Sequence, residues 1–298
     1  MTAAPTGPGD RIWPHYAAWV QRPVLALTPS QKLLRGIFDG TTFLLAKRCA
    51  GVTAMRSRVG GVPGLRLTPE NGTGGRLLYL HGGGFTIGSS TSHRHMVAHI
   101  ARAAGCTTFL SDYRRAPEYP FPAALDDTRA AYAAMAADGP VMIAGDSAGG
   151  ALALSLLHAL GPGTPPPAAL VLLSPVADLD LDQGSFQRST DTELLIPESW
   201  ARRAVAAYLD GHDPADPLAS PLAAPFPCAP PTLIQYATGE ALEPDSLHTA
   251  DALRAAGGPV TVEATPGVAH VWHLHAGRSH AADTAIARIG AFLREHTP

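Results

Sequence analysis

Gly145-Asp146-Ser147-Ala148-Gly149-Gly150 is the stretch on which the reading of this chain turns. The apolar run Val141-Met142-Ile143-Ala144 precedes it, and Ala151-Leu152-Ala153-Leu154-Ser155-Leu156-Leu157 follows it. The pattern predicts a strand, a tight turn and a helix, with a serine at the apex. Small residues flank Ser147 because backbones approach closely at so sharp a turn. A serine raised there points its hydroxyl outward at the edge of a sheet, and the amides that open the following helix aim at the reacting centre. A bare GxSxG recurs in Gly/Ser-rich loops, so the weight lies in the strand before it and the helix after it.

A second signal lies upstream. Arg76-Leu77-Leu78-Tyr79-Leu80 reads as a short buried strand that runs into His81-Gly82-Gly83-Gly84-Phe85. Three consecutive glycines carry an entropic cost, so something must require them. Phosphate cradling is one such need, but no GxxxxGK follows. The other is an oxyanion hole, where backbone N–H groups reach a developing negative charge only if no Cβ blocks the approach. Gly83 and Gly84 would supply two donors and Ala148 a third.

A nucleophilic serine needs a base, and the base an orienting acid. In α/β-hydrolases the chain order is Ser, then Asp or Glu, then His. The strand-like Pro259-Val260-Thr261-Val262-Glu263-Ala264 is followed by Thr265-Pro266-Gly267-Val268-Ala269-His270-Val271-Trp272-His273. His270 comes first after the turn residues and is the expected base, with His273 and His275 behind it. The acid should follow Thr232-Leu233-Ile234-Gln235-Tyr236-Ala237, where the next carboxylates are Glu240, Glu243 and Asp245. Glu240 is nearest the strand end. Asp245 is expected to cap a helix beginning near Ser246.

With these residues in view, the chain resembles the bacterial hormone-sensitive-lipase-like esterases, a branch of the α/β-hydrolase superfamily. The resemblance rests on HGGGF at 81–85, DYRRAPEYPFPAALDD at 112–127, GDSAGG at 145–150 and PGVAHVWH at 266–273. It implies an α/β-hydrolase fold: a mostly parallel central sheet flanked by helices, with a helical cap. It implies a serine carboxylesterase with Ser147 as nucleophile, His270 as base and Gly83, Gly84 and Ala148 as oxyanion donors. Many relatives carry Asp in a DPL-type motif. Here Thr238-Gly239-Glu240-Ala241-Leu242-Glu243-Pro244-Asp245 is similar to a subset with Glu followed five residues later by Asp, which places the acid on Glu240. The same resemblance gives the 112–127 motif a scaffolding role under the HGGG loop. Asp146 is expected to stabilise its turn, and His81 to fix its loop by hydrogen bonding.

The chain is read as one α/β-hydrolase domain over 1–298, with cap elements from 1–50 and 175–231. Residues 10–50 have helical periodicity. Val52–Val59 and Leu65–Thr68 look like two edge strands. Strand and helix alternate from Arg76 to about Leu173, which argues for a parallel sheet. Between Ser174 and Pro231 the alternation fails, apart from a helix opened by Pro197-Glu198-Ser199-Trp200. Phe85, Phe186, Leu194 and Ile196 are candidate pocket residues, and the expected substrates are short- to medium-chain esters. The same residues would also serve an amidase, acyltransferase or lactone hydrolase. A non-catalytic receptor, as in the plant gibberellin receptors of this fold, is the remote alternative; those have lost the histidine.

The net charge of -3 and 16% charged residues give no basic patch for nucleic acid. No apolar run reaches membrane-spanning length, and the N-terminus lacks the pattern of a secretory signal. The three cysteines are scattered without a CxxC, so neither a disulfide framework nor a zinc site is indicated, and a reducing cytoplasm is expected. His93, His95 and His99 cluster, but no HExxH is present and no metal is expected. No cofactor is required; the partner is a small-molecule ester, with a homodimer possible.

Overall fold

Alternation along the strands sorts the core onto two faces. Leu78 and Leu80 pack with Tyr132, Leu152 and Leu156, whereas Leu77 and Tyr79 pack with Met96, Ile100, Ile289 and Leu293. Successive side chains of a strand point to opposite faces, so a strand covered on both sides must be apolar throughout. The computed structural model describes residues 7–72, 74–161, 163–181 and 192–297.

The strands are β1 (Val52–Val59), β2 (Val62–Pro69), β3 (Arg76–Leu80), β4 (Thr107–Ser111), β5 (Met142–Asp146), β6 (Leu170–Leu173), β7 (Thr232–Ala237) and β8 (Val260–Thr265). They form one sheet in the order β1-β2-β4-β3-β5-β6-β7-β8. β3 to β8 run parallel, while β2 pairs antiparallel with both β1 and β4. Only β1 is therefore an edge strand at that end, and β2, expected at an edge, is interior. Its pattern agrees: Val62, Leu65 and Leu67 are buried.

The helices are α1 (Pro8–Tyr16), α2 (Arg22–Leu27), α3 (Gln31–Leu45), α4 (Ser90–Ala104), α5 (Ala123–Ala136), α6 (Ala148–Ala159), α7 (Glu198–Leu209), α8 (Glu243–Ala255) and α9 (His280–Glu295). A π-helical turn at Ala17–Gln21 joins α1 to α2. Tyr132 belongs to α5 and Leu152 and Leu156 to α6; α4 and α9 cover the opposite face. α8 starts three residues earlier than expected, because Pro244 sits in its first turn, where a missing N–H costs nothing.

A third apolar cluster lies apart from the two faces. It joins Leu25 and Leu34 of the N-terminal helices to Ile196, Trp200 and Ala204, and to Ile87, Ala241 and Leu242. The N-terminal helices and the α7 segment thus pack on each other and on two loops at the carboxyl ends of strands, where ligands bind in open α/β sheets. Among the described residues, no helix is long and apolar enough to cross a membrane.

Candidate active site

β5 delivers Ser147 into a conformation that side chains seldom adopt, φ 52° and ψ -120°. The turn is fixed from both sides. Ser147 N–H donates to Leu173 O at 2.9 Å, and Ser147 O accepts from Gly150 and Ala151 N–H and from Val176 N–H. Gly149 lets α6 come up against β3, since a Cβ there would collide with Leu80 O. Phe85 (φ 60°), Ser174 (φ 47°) and Val271 (φ 50°) also lie in the left-handed region. Such strain persists only where the surroundings over-determine it, and it concentrates at functional sites.

The loop after β3 is held by the 112–127 motif. Tyr113 Oη donates to His81 O at 2.6 Å, and Ala116 N–H donates to Phe85 O at 3.0 Å. Asp112 accepts from Ser90 N–H at 2.6 Å and from Ser90 Oγ at 2.7 Å, which fixes the start of α4 behind the loop. Arg35 of α3 donates to Thr86 O at 2.7 Å and to Ala116 O at 2.6 Å, and pairs with Glu118 at 2.7 Å. Gly83 sits at φ 115°, and a Cβ on it would strike Ile87 O. Its carbonyl is turned inward, accepting from Thr86 and Ile87 N–H. Ala148 opens α6, so its N–H is one of the donors a helix cannot satisfy internally.

His270 Nδ1–H donates to Glu240 Oε2 at 2.8 Å, and both side chains are buried. The other Glu240 oxygen accepts from Ala237 N–H at 3.2 Å. Glu243 accepts from Gly239 N–H at 2.7 Å, and Asp245 accepts from Ala177 and Asp178 N–H. The three carboxylates after β7 are thereby separated: Glu240 meets the histidine, while the other two brace loops. Asp245, expected at a helix cap, instead lies inside the first turn of α8 and ties down the segment after β6. Burial alone would lower the pKa of His270, but the charge of Glu240 and its hydrogen bond, with Glu193 and Asp146 beyond, raise it above the ordinary value. His273 and His275 are pushed down to about 3 by burial and stay neutral. His273 Nε2 bonds Gln235 Oε1, and His275 stacks on Trp13.

Asp146 directly precedes Ser147, and His81 opens the glycine loop. Asp146 accepts from Tyr79 Oη at 2.9 Å and from His93 Nε2–H at 3.2 Å. Burial opposes its charge, yet His93 and Tyr79 hold its pKa below the usual value. It anchors neighbouring side chains more than its own turn. The His81 ring stacks on Tyr113 at 4.3 Å and is forced down to about 3, first by burial and then by His93. Of the clustered histidines, His93 is thus committed to Asp146, and His99 bonds Lys47 O at 3.1 Å.

Ser147 borders two cavities. The larger, about 110 Å³, is also lined by His270, Gly83, Leu25, Ile37, Phe38 and Trp200. The smaller, about 40 Å³, is lined by Gly84, Phe85, Leu179, Trp200 and Ala204 among others. Ile196 and Trp200 stand at both. Of the expected pocket residues, Phe85 lines the smaller cavity and stacks on Tyr208 at 3.7 Å. Ile196 lines both; Leu195 rather than Leu194 lines the larger one, and Phe186 lies outside the described residues.

A strained serine between strand and helix, a buried carboxylate-bound histidine on the same cavity wall, and a parallel sheet in this order make one combination. The family profile described as alpha/beta hydrolase fold matches residues 77–274. The chain belongs to this family. Within it, the hydrolase is similar to the bacterial hormone-sensitive-lipase branch: an esterase structure of that family superposes with a TM-score of 0.90 at 36% identity, covering 98% of this chain and 99% of that one. An acetyl-hydrolase of Streptomyces hygroscopicus is 43% identical over 234 residues, 77% of this chain and 78% of the relative. The esterase LipU of Mycobacterium tuberculosis is 31% identical over 300 residues, 93% and 99% of the two chains.

Sequence reasoning about the hydrolase missed the cavity walls from α2 and α3, although the apolar spacing of Leu34, Ile37 and Phe38 marked an inward face. It also missed Trp200 as a pocket residue, reading it only as part of a helix start, and gave Glu193 no role.

Proposed function

We propose that this hydrolase is a serine carboxylesterase working through an acyl-enzyme. Ser147 is the nucleophile, His270 the general base and acid, Glu240 the orienting carboxylate, and the N–H groups of Gly83, Gly84 and Ala148 the oxyanion donors. The observation that carries this reading is the 2.8 Å His270–Glu240 hydrogen bond on the wall of the cavity that reaches Ser147. His270 takes the Ser147 proton as Oγ attacks the ester carbonyl. Glu240 holds the tautomer with Nε2 free and stabilises the imidazolium. The carbonyl oxygen gathers charge against the glycine-loop amides, each of which contributes about 10²–10³ in turnover. His270 then protonates the departing alcohol. A water deprotonated by the same imidazole releases the acid and restores Ser147.

The two cavities give the substrate a direction. The leaving oxygen must reach His270 to be protonated, and of the two cavities His270 lines the larger. The alcohol part therefore belongs in the larger, apolar cavity and the acyl part in the smaller one. This favours short acyl chains on sizeable apolar alcohols, and the name of the Streptomyces relative, an acetyl-hydrolase, points the same way. In this reading the helices of 1–50 and the 175–231 segment are a cap on a single hydrolase domain, because α2, α3 and the residues before and within α7 wall the cavities. The three unpaired thiols of Cys49, Cys106 and Cys228 fit a reducing compartment such as the cytoplasm.

Mass spectrometry after fluorophosphonate treatment tests the assignment. One adduct on Ser147, lost in Ser147→Ala, is expected, together with faster hydrolysis of p-nitrophenyl acetate and butyrate than of the decanoate. An adduct elsewhere overturns the site. Predominant cleavage of a matched amide, or transfer to an added alcohol, overturns simple esterase action.

A further inference from the structure

The chain just before α7 grips the acid turn on both sides of Glu240. Thr192 Oγ1 donates to Gly239 O at 2.6 Å. Glu193 Oε2 accepts from Ala241 N–H at 2.7 Å. The second Glu193 oxygen accepts from Ile196 N–H at 2.8 Å and also from Leu195 N–H. Glu193 is only 6% exposed, and a carboxylate so desolvated is tolerated only when donors surround it. Its donors are amides of its own segment and that of Ala241, 48 residues further along the chain. The grip extends to the N-terminal helices, because Arg22 Nη1 donates to Glu193 O at 2.9 Å and to Ile196 O at 3.3 Å.

Glu240 needs such support. It carries one more rotatable bond than an aspartate, and within its own turn its carboxylate is anchored only by Ala237 N–H, at 3.2 Å. A small drift of the turn would take Oε2 away from His270. We propose that Glu193 is a positioning residue that locks the Glu240 turn against His270 and so makes the readiness of the base depend on the seating of the segment that leads into α7. The inference rests on the triad assignment above. Glu193 also adds negative potential at His270. The ionisable groups acting there are Glu240, Glu193 and Asp146 on the anionic side, with His273 beside it held neutral.

The experiment compares Glu193→Gln, Thr192→Val and, as a control, Glu198→Gln, which removes an exposed α7 carboxylate paired with Arg202. Steady-state rates on p-nitrophenyl acetate, the pH profile of kcat/KM and the rate of fluorophosphonate labelling are measured with melting temperatures. Glu193→Gln is expected to lower kcat on the order of tenfold with little change in KM, since misplacing a reacting group is what turnover feels. It should also slow labelling and move the acid limb to lower pH, because a negative charge near His270 is gone. Thr192→Val should lower kcat about threefold and leave the acid limb in place. Glu198→Gln should match the wild type. Glu193→Gln with wild-type kcat and an unmoved acid limb, or with a loss of melting temperature alone, overturns the proposal. If that variant does not fold, Thr192→Val decides: unchanged kcat overturns it. A wild-type enzyme unlabelled at Ser147 sinks the triad reading itself, whereas normal labelling in both wild type and Glu193→Gln sinks only this inference.

Discussion

His270 sits where two opposing effects meet. Burial favours the neutral imidazole, and the charges of Glu240, Glu193 and Asp146 favour the imidazolium strongly enough to raise its pKa above 6.5. As the proposed general base, His270 must be neutral to accept a proton, so on this reading activity is lost as pH falls through that raised value. The acid limb of kcat/KM is expected to have its midpoint above pH 6.5, the ordinary histidine value; a midpoint below it would contradict the arrangement. Glu240→Gln keeps the shape but removes the charge. It should lower kcat by about 10²–10⁴ and move the same limb down, a smaller loss than the roughly 10⁶ expected of Ser147→Ala. Stopped assays on one soluble ester across pH measure all three.

The strand, turn and helix around Ser147 form the element on which the site stands. Its glycines were legible from sequence because close approach excludes a Cβ, and the structure supplies the atoms approached. Gly149→Ala would press a methyl into Leu80 O. Overpacking of this kind costs about 1–3 kcal/mol, and here it would also displace the neighbouring amide of Ala148, the proposed oxyanion donor. Both melting temperature and kcat should therefore fall. The helix α7 makes a different prediction. Trp200 is buried and lines both cavities, so Trp200→Ala is expected to open one into the other. Relative activity on octanoate over acetate esters should rise severalfold, with a stability loss of about 3–5 kcal/mol typical of a large core truncation. Unchanged chain-length preference would place the acyl group elsewhere. The start of α8 is the element sequence reading misjudged. A capping aspartate was expected where Pro244 had already begun the helix, and Asp245 instead accepts from the segment after β6.

At the scale of the whole molecule, the helices before β1 are bound to the loops after β3 and β4 by partly buried polar contacts. Arg35 alone reaches Thr86 O, Ala116 O and Glu118, and it holds the Glu118 carboxyl down to about 2. Arg35→Met leaves two carbonyls without their charged donor. Discounted for partial exposure, the expected loss is about 1–2 kcal/mol, seen as a lower denaturation midpoint. Because the Thr86 carbonyl lies just beyond the glycine loop, kcat should drop too. Stability loss with unaltered kcat would mean that the N-terminal helices are passengers.

The amino-acid sequence by itself determined the parts whose causes are local. A serine among residues without bulk, three glycines after a strand and a histidine after a turn are set by what the neighbouring backbone can sterically adopt. The order of strands and helices follows from apolar periodicity for the same reason. The sequence pointed to Glu240, Phe85 and Ile196, but only the tertiary structure decided that Glu243 and Asp245 brace loops instead, that α2, α3 and Trp200 wall the cavities, and that Glu193 grips the Glu240 turn. Those outcomes depend on contacts between segments tens to hundreds of residues apart, whose pairing no short window of sequence encodes. β2 makes the point in miniature: its alternation is local, but its place inside the sheet was settled by β4 pairing on its far side.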